Sequence, residues 1–270
     1  MQKITGRDNQ KIKFARKVRD RKTEDLIFVE GARLAEEVLR SDLKISDVFF
    51  TENFASTTRG KVFLQTAAKF NLTEVAANIF ESISDTKHSQ GVAVIAEKPE
   101  TGKNVIEAAF EKKKRRFPLV VLVHEINNPS NSGAILRTCE AAGVSGVILT
   151  ENSADVFSPK ALRGAMGASL RIPIWANADF FEALSWAKEK NLISICADVN
   201  AEKSYAEIDW KQSRLLIFGS EAHGLSANER EKVDESLIIP MENEVESLNL
   251  AVACGVILFE AKRQSGESGA

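Results

Sequence analysis

The sequence predicts an α/β protein in two parts, a small N-terminal α/β unit followed by a larger parallel sheet covered by helices. Two observations carry that expectation. From residue 119 onward, short apolar runs alternate with helical patterns. Strands that are apolar on both faces and separated by helices belong to parallel sheets buried on both sides. A shorter alternation of the same kind fills residues 24–98. The chain has 270 residues, 44% hydrophobic and 27% charged, enough for two domains with cores of their own.

The N-terminal elements follow from periodicity. Residues 1–23 form a basic arm or helix with Ile12, Phe14, Ala15 and Val18 on its apolar side. Strands are expected over 26–30, 48–51, 72–75 and 91–96, and helices over 31–40 and 61–70. Helix 31–40 places Leu34, Ala35, Val38 and Leu39 on one face. His88, in the loop 86–91, could meet a ligand, but an ordinary surface histidine explains it better. Residues 99–117 hold Pro99, Gly102, a short helical pattern and the basic run Lys112, Lys113, Lys114, Arg115, Arg116, and are expected to be a linker.

The larger domain spans 118–270. Its strands are expected over 119–124, 146–149, 172–175, 192–197, 215–218 and 237–239. Its helices are expected over 133–142, 159–169, 180–190, 227–232 and 248–264. From Leu248 to Glu260 the last helix is apolar on nearly every face, which marks a buried helix.

Composition excludes several classes. No apolar run reaches the ~18 residues of a membrane span, and the first residues lack the apolar core of a signal peptide. The cytoplasm is the expected location. Cys139, Cys196 and Cys254 are far apart with no CxxC pair, so neither zinc nor a disulfide framework is expected, and no metal site is called. Buried reduced thiols fit their apolar contexts. The net charge of −2 hides a basic N-terminus, where Lys3, Arg7, Lys11, Lys13, Arg16, Lys17, Arg19, Arg21 and Lys22 face only Asp8 and Asp20. A polyanion contact and a solvated helix face explain this equally well.

Ligands of open parallel sheets bind beyond the carboxyl ends of the strands, so the loops there hold the candidates. The first loop is Asn127-Asn128-Pro129-Ser130-Asn131-Ser132-Gly133, leading to Arg137 one turn into the next helix. Pro129 stiffens the turn, Asn131 can bond nearby backbone, and Gly133 permits close approach. Arginine at that edge suits an anionic phosphate, although a helix arginine paired with a carboxylate is the plainer alternative. The second loop is Gly219-Ser220-Glu221-Ala222-His223-Gly224-Leu225. His223 could be a base or an incidental loop residue. No GxGxxG occurs, which argues against a nicotinamide-binding oxidoreductase. The third loop runs from Ile239-Pro240-Met241 through Glu242, Glu244 and Glu246 to Ser247-Leu248-Asn249, directly before the apolar helix.

Together these loops resemble the SpoU/TrmH family of RNA ribose 2′-O-methyltransferases, in the wider SPOUT class. NPSNSGAILRT is similar to the family's first motif, GSEAHGL to its second and IPMENEVESLNLAVACG to its third. All three occur in order, each after an expected strand, over roughly residues 119–264. More loosely, FVEGARLAEEVL and its surroundings resemble the ribosomal-protein-like substrate-binding domain that precedes many members. The chain departs from the family at Asn128, where Asp is frequent, and at Glu242-Asn243-Glu244, where Gly is common. Asn tolerates a left-handed backbone, so Asn243 can fill the glycine's role.

The resemblance implies a deep trefoil knot, a homodimer, and S-adenosylmethionine bound by Gly219, Ser220, Ile239, Met241 and Leu248. It implies Arg137, Asn131, Glu221, Ser247 and Asn249 as active-site residues. An apolar last helix fits a dimer interface. The implied reaction is methylation of a ribose 2′-hydroxyl in structured RNA, with 23S ribosomal RNA expected and transfer RNA as the alternative. A non-catalytic RNA-binding protein that kept the fold is the other class. An RNA substrate tips the basic N-terminus toward RNA contact.

Overall fold

A computed structural model of the chain describes residues 3–112, 116–243 and 245–266. Lys113, Lys114 and Arg115 of the basic run, and Glu244 of the third loop, lie outside the described residues. The fold divides into two compact units, Met1–Pro99 with Val156–Leu170, and Glu100–Asp155 with Arg171–Ala270.

The first unit is built on a four-stranded sheet of β1 (Leu26–Glu30), β2 (Ile45–Phe50), β3 (Leu72–Glu74) and β4 (Val92–Glu97), in the order β1-β4-β2-β3. β4 runs antiparallel to both β1 and β2, and β3 is parallel to β2. Helices α1 (Gln10–Arg19), α2 (Ala32–Arg40), α3 (Glu52–Ser56), α4 (Thr58–Thr66) and α5 (Ala77–Phe80) complete that part. α3 and α5 were not expected, because each is only about one turn long and shows no period.

The basic N-terminus is not a free arm. Ile12, Ala15 and Val18 of α1 are fully buried against Phe28, Phe49, Phe80 and Ile95. Burying an Ile or Val side chain stabilises by about 1.5–3 kcal/mol, which exceeds what a solvated basic face could gain by staying detached. Several of the cations serve the fold. Arg16 donates to the Ser82 carbonyl and hydroxyl, and Arg19 donates to the Ser82 and Ser84 carbonyls. Lys3 pairs with Glu52 and Glu74, and Lys11 with Asp47. Arg7, Lys17 and Lys22 are exposed.

The second unit holds six strands, β5 (Leu119–Val123), β6 (Gly146–Thr150), β7 (Ile174–Ala178), β8 (Ile193–Ala197), β9 (Arg214–Phe218) and β10 (Glu235–Leu237). Their order is β10-β8-β9-β5-β6-β7, and every pairing is parallel. All carboxyl ends therefore lie at one edge. α6 (Lys103–Lys112) lies in the stretch expected to be a linker, yet its Ile106 is fully buried in the core with Val120, Ile148 and Trp186. α7 (Pro129–Ala142) begins four residues before the expected start. The reason is local: Asn128 caps the helix by accepting from the Ser130 amide, and Pro129 takes the first helical position, where its missing N–H costs nothing.

α8 (Pro159–Ala165), expected to cover the parallel sheet, packs instead with the first unit against β1. Its Arg163 pairs with Asp85 of the same unit at 2.7 Å. Apolar period says that a helix covers a sheet, not which one. α9 (Phe180–Glu189), α10 (Ala227–Arg230) and α11 (Leu250–Ser265) belong to the second unit. α11 packs on α7, burying Cys254, Ile257, Leu258 and Ala261. It is not buried all round: Val252 and Phe259 stand 53% and 51% exposed on one side. Small residues and a low polar count hid that open face in the sequence.

Candidate active site

The three loops follow β5, β9 and β10 at the carboxyl edge of the parallel sheet, and hydrogen bonds tie them together. In the first turn of α7, Asn131 Nδ2 donates to Glu221 Oε1. Asn249 Nδ2 donates to Asn131 Oδ1 at 3.3 Å. One asparagine of the first motif thus links a carboxylate of the second to an asparagine of the third. Its side chain bonds across the loops, not to the neighbouring backbone that the sequence suggested. Asn249 also caps α11, its Oδ1 accepting from the Ala251 and Val252 amides at 3.0 and 3.4 Å.

The second loop closes on itself. Ser220 and Gly224 exchange both backbone hydrogen bonds, at 3.1 and 2.9 Å. A Cβ on Gly219 would lie 2.5 Å from the Gly224 carbonyl carbon and 2.7 Å from the Leu225 nitrogen. Only glycine permits this turn at the end of β9. Gly224 has φ +66, with open space around it. In the third loop Asn243 has φ +55, the left-handed conformation expected of it as a replacement for glycine.

Ile239, Met241 and Leu248 are half-buried, Ser220 is half-buried, and Ser247 is exposed. Arg137 is exposed on α7. Among the described residues neither Arg137 nor Ser247 takes part in a side-chain hydrogen bond or ion pair. Cys139 and Cys254 are buried where α7 meets α11, and burial, then the neighbouring Cys254 thiol, pushes the Cys139 thiol well above its ordinary pKa.

Sequence reasoning missed a polar layer just below these loops. His124 follows β5, with Nδ1 3.1 Å from Thr150 Oγ1 and Nε2 3.2 Å from Glu229 of α10. Its ring stacks edge-on against Phe180, 5.0 Å between centroids. Glu229 and Ser226 form a capping box at the start of α10. Asp198, directly after β8, pairs with Arg230 at 2.9 Å. Inspecting the residue after every strand, and not only the richest loops, would have singled out His124 and Asp198.

A family model described as the SpoU rRNA Methylase family matches residues 118–259, just over half of the 270 residues. The chain belongs to the SpoU rRNA methylase family. The MRM3-like substrate binding domain matches residues 9–94, the larger part of the first unit. The 23S rRNA (guanosine(2553)-2′-O)-methyltransferase RlmP of Bacillus subtilis is 28% identical over 277 residues, covering 97% of this chain and 100% of the relative. The 23S rRNA (guanosine-2′-O-)-methyltransferase RlmB of Pseudomonas aeruginosa is 28% identical, covering 87% of this chain and 96% of the relative. The crystal structure of an AdoMet-bound rRNA methyltransferase from Sinorhizobium meliloti is similar with a TM-score of 0.82 at 25% identity, over 97% of each chain. In this SpoU rRNA methylase the Glu221–Asn131–Asn249 link therefore joins the three loops of the catalytic domain.

Proposed function

We propose that the protein methylates a ribose 2′-hydroxyl of large-subunit ribosomal RNA, with S-adenosylmethionine as methyl donor. The observation that carries this reading is the hydrogen-bonded link through Asn131 from Glu221 to Asn249, with an exposed Arg137 on the same helix as Asn131. Relatives that span nearly the whole chain and are named for 2′-O-methylation of 23S rRNA guanosines support the substrate. RNA and not DNA is implied because only RNA carries the 2′-hydroxyl.

The loops fit the donor. A Cβ on Gly219 would run into the Gly224 and Leu225 backbone, so only glycine lets the second loop turn this tightly where the donor would bind. Gly219, Ser220, Ile239, Met241 and Leu248 would hold the adenosine and its tail. When bound, S-adenosylmethionine supplies a methyl group already activated by the adjacent sulfonium. The chain's own residues do the rest. Arg137 brings a cation to the site. It holds the phosphate beside the target ribose and stabilises the oxyanion that forms as the hydroxyl loses its proton. Asn131 and Asn249, fixed to each other, orient the sugar together with Ser247, and alignment alone contributes several kcal/mol.

The same reading includes a trefoil knot and a homodimer. The knot is supported by the path of the last segment, which goes from β10 at the sheet edge back to α11 on α7, the helix after β5. The dimer is supported by the exposed Val252 and Phe259 on one side of α11. Action on ribosomal RNA goes with a cytoplasmic location, and among the described residues no helix is long and apolar enough to cross a membrane.

The test is Arg137→Ala. It should abolish methyl transfer to RNA while S-adenosylmethionine affinity, read by calorimetry, stays within about twofold. Loss of donor binding would overturn the role given to Arg137. Mapping of 2′-O-methyl sites in RNA from a deletion strain should show one site lost from 23S rRNA. Loss confined to transfer RNA would overturn the proposed substrate.

A further inference from the structure

α10 is a single turn of helix, yet it is held from both sides. It follows the second loop, which emerges from β9, and β9 lies between β8 and β5 in the sheet. On the β5 side, Glu229 of α10 meets His124 at 3.2 Å. On the β8 side, the next residue, Arg230, meets Asp198 at 2.9 Å. Consecutive residues of opposite charge thus straddle the strand that carries the loop.

Each anchor is itself fixed. The side chain of Asp198 is 9% exposed, and it also accepts from the Asn200 amide at 2.9 Å. Its own amide donates to the Leu237 carbonyl at the end of β10. The register that pairs Cys196 with Ile217 carries Asp198 level with Gly219. His124 is held between two partners, with Nδ1 at the Thr150 hydroxyl and Nε2 at the Glu229 carboxylate. Glu229 caps α10 with its second oxygen, accepting from the Ser226 amide and hydroxyl at 2.7 Å each. Burial pushes the Glu229 carboxyl up, but the Ser226 hydrogen bonds and the nearby His124 outweigh it and hold it below its ordinary value.

We infer that α10 is a yoke that sets the shape of the Gly219–Leu225 turn, with Asp198 and His124 as positioning residues for the methyl-donor site. The geometry has a simple consequence. The turn is seven residues long and its Glu221 and His223 are exposed, so the ends of the loop determine where its amides point. One end is covalently fixed to β9. The other is held by the two contacts of α10 and by the buried Leu225, beside the Ser220–Gly224 backbone bonds and the Asn131–Glu221 hydrogen bond within the turn. Releasing either contact lets the loop open without disturbing the sheet below it.

The inference rests on the donor-binding reading above, and the experiment separates the two. In the full-length protein, Arg230→Met, Asp198→Asn and His124→Phe are compared with wild type. Each should raise the KM for S-adenosylmethionine about five- to tenfold, while kcat at saturating donor stays within about twofold. Arg230→Met and Asp198→Asn should be non-additive in the double variant, and Arg230→Lys should recover most of the loss. Amide hydrogen exchange without ligand should quicken over 219–225 in Arg230→Met. Unchanged exchange there, or a lower melting temperature with an unchanged KM, overturns the yoke. Wild-type protein that binds no S-adenosylmethionine overturns the donor reading instead, and the exchange measurement still decides the yoke.

Discussion

Asn249 donates a hydrogen bond to Asn131, 3.3 Å away and 118 residues earlier in the chain. The same Asn249 caps α11 through its carbonyl oxygen. The two halves of one amide therefore do different jobs: the oxygen starts a helix, and the nitrogen holds the first motif in register with the third. Asn131 passes the constraint on to Glu221.

That division can be separated by substitution. Asn249→Asp keeps a capping oxygen and removes the donor, so it should preserve the melting temperature within about 2 °C. Methyl transfer should still fall by about two- to tenfold, since a hydrogen bond of this kind contributes roughly 0.5–1.5 kcal/mol and its loss misaligns Asn131. Asn249→Ala should lose both, with a cap cost of about 1 kcal/mol visible as a fall of roughly 2–4 °C. Equal activity in Asn249→Asp and wild type would mean that Asn249 is only a cap.

Gly219 and Gly224 make a second contrast. Gly219→Ala puts a methyl 2.5 Å from the Gly224 carbonyl carbon, a backbone atom that cannot rotate away. The turn must open, and donor affinity measured by calorimetry should fall at least about tenfold. Gly224 needs only its left-handed φ of +66 and has space around it. Gly224→Asn should therefore retain most of the affinity, because Asn adopts that conformation at low cost. Equal losses at both positions would show that loop flexibility, not the close approach, governs the site.

The acid limb of the stability curve should carry a signature of α11. Glu260 accepts from Arg263 at 2.8 Å through two nitrogens and from Gln264 at 2.8 Å. Arg263 first, then Gln264, lower its carboxyl from 4.5 to about 2. A carboxyl depressed on folding stabilises above its unfolded value, and that contribution is lost as pH falls through the folded value. Glu260→Gln should thus melt lower than wild type at pH 7. The gap should narrow below about pH 4.5 and close near pH 2. A gap independent of pH would assign the effect to packing.

Much of this molecule is legible along the chain. The strand LVVLV and its counterparts announce a parallel sheet, because a run that is apolar on both faces has no other home. The three loops stand out because they follow such runs and carry polar residues with no local task. What stays hidden is partnership over long separations. Nothing in the first loop says that Asn131 will meet Glu221, 90 residues later. Nor does the period of α8 say that it packs with β1 in the first unit. The N-terminal cations are the clearest case, since charge counting cannot distinguish an arginine that binds a carbonyl from one that waits for a phosphate.

The structure makes that distinction, and it yields opposite expectations for neighbouring residues in and just after α1. Arg19 donates to the Ser82 and Ser84 carbonyls at 2.9 and 3.3 Å, so Arg19→Ala should lower the melting temperature through roughly 1–2 kcal/mol of lost hydrogen bonding. Its effect on the salt dependence of RNA binding should be small. Lys17 and Lys22 are exposed, and the double variant Lys17→Ala/Lys22→Ala should leave stability unchanged. If this surface meets RNA, that variant should flatten the slope of log affinity against log salt by roughly 1–2, since each phosphate contact contributes about 0.7–0.9. Filter binding of a 23S rRNA fragment at several potassium chloride concentrations measures it. An unchanged slope would leave the exposed lysines as a solvated face, and would move the search for the RNA surface of this unit away from α1.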